Sequence, residues 1–548
     1  MALGARLRAL LARSSEPRTV ISMHGERQVA VLSIALFLLI GLPLWWTTTR
    51  VYRAALPADA IHAFTPADPL RLPLVFHVDA DAPLSAADAL AVEQSAQILI
   101  ETQRAPFADG EWRVRCEAAV RPGAAPDAPG HYTLRILTGA ASSGVRVGAD
   151  RSAAISVAQA ASPRAVLAEA IAEIVAGEER RVRGQGALKY APEYAVTLTL
   201  LNEDPVEGAV VDWDIEQALA AYMQPLVRAV QPLAKLALSS QVLYHGGPPP
   251  VTPLKADNLT YLTPDMLPHF VNSPSWNLAS VDPISPMLNF VLFVPTLAAQ
   301  PMRIMDEDQA ARSGRKSAGS LPGSDAFLVS QWGGVAIANL PKGTRPGDRV
   351  VLSQDAMQRY MGLFITQLRQ HLGVRSDIPL APRRKSQAAK SAIDWVRVDL
   401  ATDSGISGWE FDALLRQWLV RNRQTAITTL QSLMRLVDSL QNMVVMDEIK
   451  DQVDRSLRAL HEIDDTLASR SAPRLGYLDA FTSAATALGL AEAAFFDPTM
   501  VSMLYFPDQH KFAIYMPFFL PVAVPLLAAI KKIFAERRRK PASSKKSD

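Results

Sequence analysis

Hydrophobic positions follow three different patterns along this chain. At two places they are continuous. The run "VAVLSIALFLLIGLPLWW", residues 29–46, carries no charge; at about 1.5 Å per residue it extends roughly 27 Å, the thickness of a bilayer's hydrocarbon core. The run "FAIYMPFFLPVAVPLLAAI", residues 512–530, is equally uncharged. Between them, from about Leu72 to Leu340, short β-branched and aromatic runs predict strands: "LPLVFHV", "WRVRCEAAV", "HYTLRIL", "YAVTLTLL", "SQVLYH", "NFVLFVP" and "GGVAIANL". Helical spacing falls between some of them. "SAADALAVEQSAQILIETQ" opens on Ser85 with Asp88 three residues on, a capping-box-like start; "RAVLAEAIAEIVAGEERR" is a second helix; "DIEQALAAYMQPLVRAV" starts at Asp214 with Gln217 at the capping-box position. Such alternation predicts an α/β domain with a mixed sheet over residues 47–345.

From about Leu352 apolar positions recur every three or four residues. A helix is expected from Ser353 as cap to Gly373 as stop, and three long ones within 409–446, 447–469 and 478–496. The segment 346–500 is therefore expected to form a packed bundle of long helices. The polar, breaker-rich stretches near 306–324 and 381–391 are expected to be mobile loops.

Charge adds a topology. Arg6, Arg8, Arg13, Arg18 and Arg27 precede the first apolar run, and Lys531, Lys532, Arg537, Arg538, Arg539 and Lys540 follow the last. The positive-inside bias then puts both ends, residues 1–28 and 531–548, in the cytosol, with everything between the spans on the far side. Leu3, Leu7, Leu10 and Leu11 give the basic first segment an amphipathic face, read as a helix on the membrane surface; a mitochondrial presequence is the competing reading. The terminal "KKSD" carries Lys545 and Lys546 at the spacing of a dilysine retrieval signal of the endoplasmic reticulum. Asn258 in "NLT" is a candidate N-glycosylation acceptor on the far side. A net charge of +2 points to no nucleic-acid partner.

The last apolar run holds Pro517, Pro521 and Pro525. Each lacks an N–H, which frees the carbonyls of Ala513, Pro517 and Pro521 four residues back. Four-residue spacing keeps these on one face. In lipid that face must meet protein or water, so it is expected to be a docking face in a multi-subunit membrane assembly; a kinked anchor that tolerates its prolines is the competing reading.

Candidate chemistry is sparse. Cys116 alternates with Trp112 and Val114 as a buried strand thiol does, and one cysteine excludes a disulfide within the chain. His245-Gly246-Gly247 reads as a turn, because no G-x-S-x-G elbow accompanies it. Asp212 and Asp214 admit a carboxylate pair, but capping explains Asp214. "GQG" at Gly184 lacks the third glycine of a dinucleotide fingerprint, the histidines show no metal spacing, and "WGG" at Trp332 reads as a tight entry to a strand. No catalytic residue, cofactor or metal is expected.

"GLPLWWTTTRVYRAALP", "YAVTLTLLNEDP", "VDWDIEQALAAYMQPLV", "SQVLYH", "LNFVLFVP", "WGGVAIANL" and "AFFDPTMVSMLYFPDQHKFAIYMPFFLPVAVPLL" together resemble the PIG-S family. The resemblance implies an accessory, non-catalytic subunit of the glycosylphosphatidylinositol (GPI) transamidase of the endoplasmic reticulum membrane. In that assembly the catalytic cysteine belongs to another subunit, PIG-K, and the other implied partners are PIG-T, PIG-U and the GPI-anchor-attachment subunit. The residues alone leave two alternatives: a membrane-tethered lumenal hydrolase or transferase, and a lumenal receptor or tether.

Overall fold

The computed structural model describes residues 20–49, 52–64, 70–80, 85–103, 114–122, 126–182, 188–247, 251–256, 259–271, 276, 285–305, 323–374, 392–399, 401, 403–440, 443–468, 476–501 and 508–538. The chain forms two compact units. The larger comprises Asp59–Thr429 and Arg455–Ala491; the smaller comprises Met1–Ala58, Leu430–Asp454 and Glu492–Asp548.

The larger unit holds two principal sheets. Strands β1 (Leu70–Ala80), β2 (Val114–Pro122), β3 (His131–Ala140), β4 (Gly144–Val147) and β5 (Ser152–Ala158) build the first. A strand from far along the chain, Trp395–Val398, completes it in the order Trp395–Val398, β4, β5, β3, β1, β2. Neighbours are parallel except β4 against β5. Helices Ala86–Gln103 and Pro163–Val182 pack together over it. The expected cap is present: Ser85 Oγ accepts the Asp88 N–H at 3.2 Å. The Asp88 carboxylate instead pairs with Arg164.

The second sheet contains β6 (Glu193–Asn202), β7 (Lys235–Leu243), β8 (Met287–Val294), β9 (Ala326–Val329) and β10 (Gly333–Ile337). Its order is β9, β10, β8, β6, β7, parallel except for β9. Strands β6 and β8 are buried along nearly their whole length, which is why they read as continuous apolar runs. One face packs helix Gln354–Leu372, with Phe290 and Phe364 ring centroids 5.7 Å apart. That helix has the expected ends: Ser353 caps the Ala356 N–H, and Gly373 at φ 104° is the left-handed stop. On the other face Phe270 meets Trp276, Phe293 and Phe327 edge-on.

All the strands expected from the pattern are present, and helices Gly408–Ser439, Asp447–Ala468 and Tyr477–Phe495 fall where their spacing predicts. Two expectations are corrected. The segment after residue 346 is not all helix, since Trp395–Val398 pairs with β4 and Arg349–Leu352 pairs with Val210–Trp213. Asp214 caps nothing with its side chain; its backbone N–H continues that strand pairing to the Leu352 carbonyl at 3.1 Å. The helical stretch it begins, residues 215–230, contains a π-turn at Leu219–Met223 in place of uniform α-helix.

The smaller unit contains helices Val20–Thr49 and Asp508–Arg538, which touch each other. Residues 52–54 run beside Val445: Ala54 donates to the Val445 carbonyl at 2.9 Å, and Arg53 Nη2 donates to the Val437 carbonyl at 2.6 Å. The Tyr52 hydroxyl donates to the Asp447 carboxylate at 2.8 Å. Two membrane spans were expected here. Among the described residues no helix is long and apolar enough to cross a membrane. The fold does not support the two flanking membrane spans expected from the sequence.

Candidate functional site at the helix junction

A dense polar cluster of the larger unit lies where helix Gly408–Ser439 begins. Its start is a reciprocal capping box: Ser407 Oγ accepts the Glu410 N–H at 3.1 Å, and the Glu410 carboxylate accepts the Ser407 N–H at 2.9 Å. The S-x-x-E spacing of Ser407 and Glu410 was the available signal, and reading the helix from Trp409 passes over it.

This first turn faces both sheets. Towards the second, Glu410 pairs with Arg369 of helix Gln354–Leu372 at 2.9 Å, both nearly buried. Towards the first, Trp409 stacks on Tyr132 of β3 with centroids 4.0 Å apart and planes 7° from parallel. The Trp409 Nε1 donates to the Ser152 carbonyl at 3.2 Å. Asp412, 1% exposed, accepts from Arg151 Nη2 at 2.8 Å, from Arg151 Nε at 3.0 Å and from the Gly130 N–H at 3.1 Å. One turn later Arg416 donates to the Tyr132 hydroxyl at 2.6 Å. Burial pushes that phenol far above its ordinary range, which keeps it neutral. Charge, stacking and capping together fix the helix against both sheets.

Behind this turn, His77 of β1 and His131 of β3 share a buried hydrogen bond, Nε2 to Nδ1 at 3.0 Å. Burial lowers the His131 pKa to about 4, with the His77 and Arg121 charges adding to the effect and Asp412 opposing it. Burial also lowers His77. Folding therefore holds both rings neutral, while an unfolded histidine binds a proton near pH 6.5. The stability this contributes is complete above pH 6.5 and falls as pH drops towards 4. A melting-temperature series from pH 7.5 to 4.5 is expected to decline over that window, and H77Q/H131Q is expected to flatten the decline. An unchanged slope in that variant would assign the decline to other groups.

The carboxyl ends of β6 and β8 form the place where an open α/β sheet receives ligands. Here local bonds occupy it. The Asn202 amide makes two 3.0 Å bonds to the Val211 backbone. The Glu203 carboxylate, its pKa raised by burial, accepts the Thr296 N–H at 2.8 Å. The turn expected at His245-Gly246-Gly247 is not what the fold shows: Gly246 and Gly247 donate to the Asn202 and Glu203 carbonyls, which extends the parallel pairing of β7 with β6, and His245 is exposed. Of the candidate carboxylates Asp212 and Asp214, Asp212 accepts the Trp213 N–H at 2.8 Å and lies 3.4 Å from the Tyr244 hydroxyl. Trp332 closes a turn onto Val329 before β10, as read from the sequence. Cys116 lies on β2 in register with Leu72. Among the described residues no group of three His, Cys, Asp or Glu side chains is placed to hold a metal ion. Pro517, Pro521 and Pro525 are exposed within helix Asp508–Arg538. Asn258, Gly184, Lys545, Lys546, the first 19 residues, and residues 306–322 and 381–391 of the two polar loops lie outside the described residues.

These features define an α/β protein whose two principal sheets are locked together by the capped and charged first turn of a long helix. The chain belongs to the PIG-S family, described as phosphatidylinositol-glycan biosynthesis class S protein, whose model matches residues 32–540. It is 30% identical to the GPI-anchor transamidase component PIGS of Bos taurus, covering 98% of this chain and 100% of the relative. The Homo sapiens component PIGS is also 30% identical, with the same coverage. The Saccharomyces cerevisiae GPI transamidase component GPI17 is 25% identical, over 65% of this chain and 60% of its own length.

Proposed function

We propose that this chain is an accessory subunit of the GPI transamidase, supporting the attachment of GPI anchors to precursor proteins. The observation that carries the reading is similarity along 98% of the chain to relatives named as transamidase components. The chain scaffolds the assembly: PIG-K supplies the catalytic cysteine, and PIG-T, PIG-U and the GPI-anchor-attachment subunit are the further partners. The rigid joint at Trp409, Glu410 and Asp412 supports such a role, because it ties two sheets into one body that presents a fixed surface.

The terminal helices hold the chain in the endoplasmic reticulum membrane, with both ends cytosolic and the larger unit lumenal. Two features support this. Residues 29–46 carry no charge. Large apolar side chains also stand exposed on both helices, such as Phe37 at 75%, Leu39 at 71% and Leu527 at 65%. Asn258 is glycosylated in the lumen, and Lys545 and Lys546 return the protein to the endoplasmic reticulum. Alkaline carbonate is expected to leave the chain in the membrane pellet, and glycosidase is expected to increase its mobility unless Asn258 is replaced by Gln. Extraction into the supernatant would remove the membrane reading. For the function itself, expression in cells lacking their own PIG-S is expected to restore surface display of a GPI-anchored reporter. Full expression without restored display would refute the subunit role.

A further inference from the structure

Helix Asp508–Arg538 has two unlike faces. Phe519, Ala523, Leu526, Ile530 and Ile533 are half-buried and recur at four, three, four and three residues. This is the spacing of a helix–helix seam. Helix Val20–Thr49 carries the matching stripe, with Val31, Ala35, Leu38 and Gly41 half-buried, and the two helices are in contact. At about 100° per residue, Pro517, Pro521 and Pro525 fall roughly 160° to 240° round from Phe519. All three are exposed, as are Ile514, Val524 and Ala528 beside them. The chain's own hydrophobic helix thus occupies one face and leaves the proline face open on the opposite side.

Covalent chemistry says what this open face requires. No N–H exists four residues after Ala513, Pro517 or Pro521, so three carbonyls lack their helical donor. They recur one turn apart, about 6 Å along the axis. In hydrocarbon a backbone acceptor without a donor is costly, and lipid chains supply none. A helix bearing Ser, Thr, Asn or Gln one turn apart supplies donors at the same repeat. Ala528, a small residue, lies on the same face, roughly 180° from Phe519.

The geometry points to the proline face as the seat of one hydrophobic helix from another subunit of the assembly, recognised through side-chain donors to the carbonyls of Ala513, Pro517 and Pro521. This rests on the membrane and subunit reading above and names the surface that serves it. A second copy of this chain is a poor occupant: in the apolar stretch of helix Val20–Thr49 the one hydroxyl before Thr47 is Ser33, whose Oγ already donates to the Ala30 carbonyl, and the indole donors Trp45 and Trp46 are adjacent in sequence rather than one turn apart.

The test uses the full chain in native membranes. Photoreactive residues replace Ile514, Val524 and Ala528 on the open face, and Leu526 on the seam as control. Open-face probes are expected to join a different membrane subunit of the transamidase, and the seam probe to give intrachain products. Adducts with phospholipid alone, or with a second copy of this chain, would overturn the proposal. In parallel, P517L/P521L/P525L restores three N–H donors. It is expected to insert normally and to retain co-purifying subunits about ten-fold less well, from three lost interhelical hydrogen bonds. Equal retention would also overturn it. If the unmodified chain captures no transamidase subunit at all, the subunit reading fails instead, so the two failures are distinguishable.

Discussion

Replacing Asp412 with alanine is expected to destabilise the larger unit by about 3 kcal/mol, the lower end of the cost of breaking a buried ion pair. The carboxylate is 1% exposed and takes three donors, two from Arg151 and one from the Gly130 backbone. Removal leaves the guanidinium largely desolvated and the Gly130 N–H unpaired. The loss sits at the lower end because Arg151 keeps a second acceptor, Asp127, at 2.7 Å. Thermal unfolding of the purified full chain by intrinsic fluorescence measures the effect. The double variant R151M/D412L, which removes both charges and refills the space, is expected to recover most of it. If D412A alone melts as the unmodified protein does, the ion pair does not hold the helix to the first sheet.

Gly333→Ala is expected to be at least as damaging, by a different route. Gly333 enters β10 at φ 141°, where a side chain is strained. A Cβ there would lie 1.8 Å from the Asn289 carbonyl oxygen, which belongs to the backbone of the neighbouring strand and cannot turn aside. Strands β8 and β10 must then separate, opening the core around Val291, Phe293, Val335 and Ile337. Backbone strain and overpacking each cost about 1–3 kcal/mol, so a total of roughly 3 kcal/mol or more is expected. Hydrogen exchange should show lost protection along 289–293 and 333–337 first. Normal protection in the alanine variant would mean that this approach of the two backbones is not required.

Strands and helices were legible wherever one face, or both, is continuously buried. Strand β6, buried from Tyr194 to Asn202, and the long helices after residue 408 announce themselves by period alone. Elements created by pairing with distant residues were not legible. Trp395–Val398 is four residues long and becomes a strand because β4 offers an edge, with the Trp395 ring lying where a Cβ on Gly144 would stand. No local pattern encodes that partner. Asp214 was misread for a similar reason: its sequence favours a cap, but pairing with Arg349–Leu352 takes its backbone first.

The junction itself was half legible. Ser407 and Glu410 carry a local signature, whereas Arg151, Arg369 and Tyr132 reach it only through the fold. Family membership was legible because its motifs are spread along nearly the whole chain. The missing donors at Pro517, Pro521 and Pro525 were legible because the lack of an N–H is a property of the residue rather than of its surroundings.

The central claim is membership of a multi-subunit transamidase, and affinity purification of the tagged chain from mildly solubilised membranes tests it most directly. The account predicts stoichiometric recovery of a PIG-K-type cysteine protease together with the other transamidase subunits. Recovery of this chain alone, as a stable monomer under conditions that keep the endogenous complex intact, would contradict it.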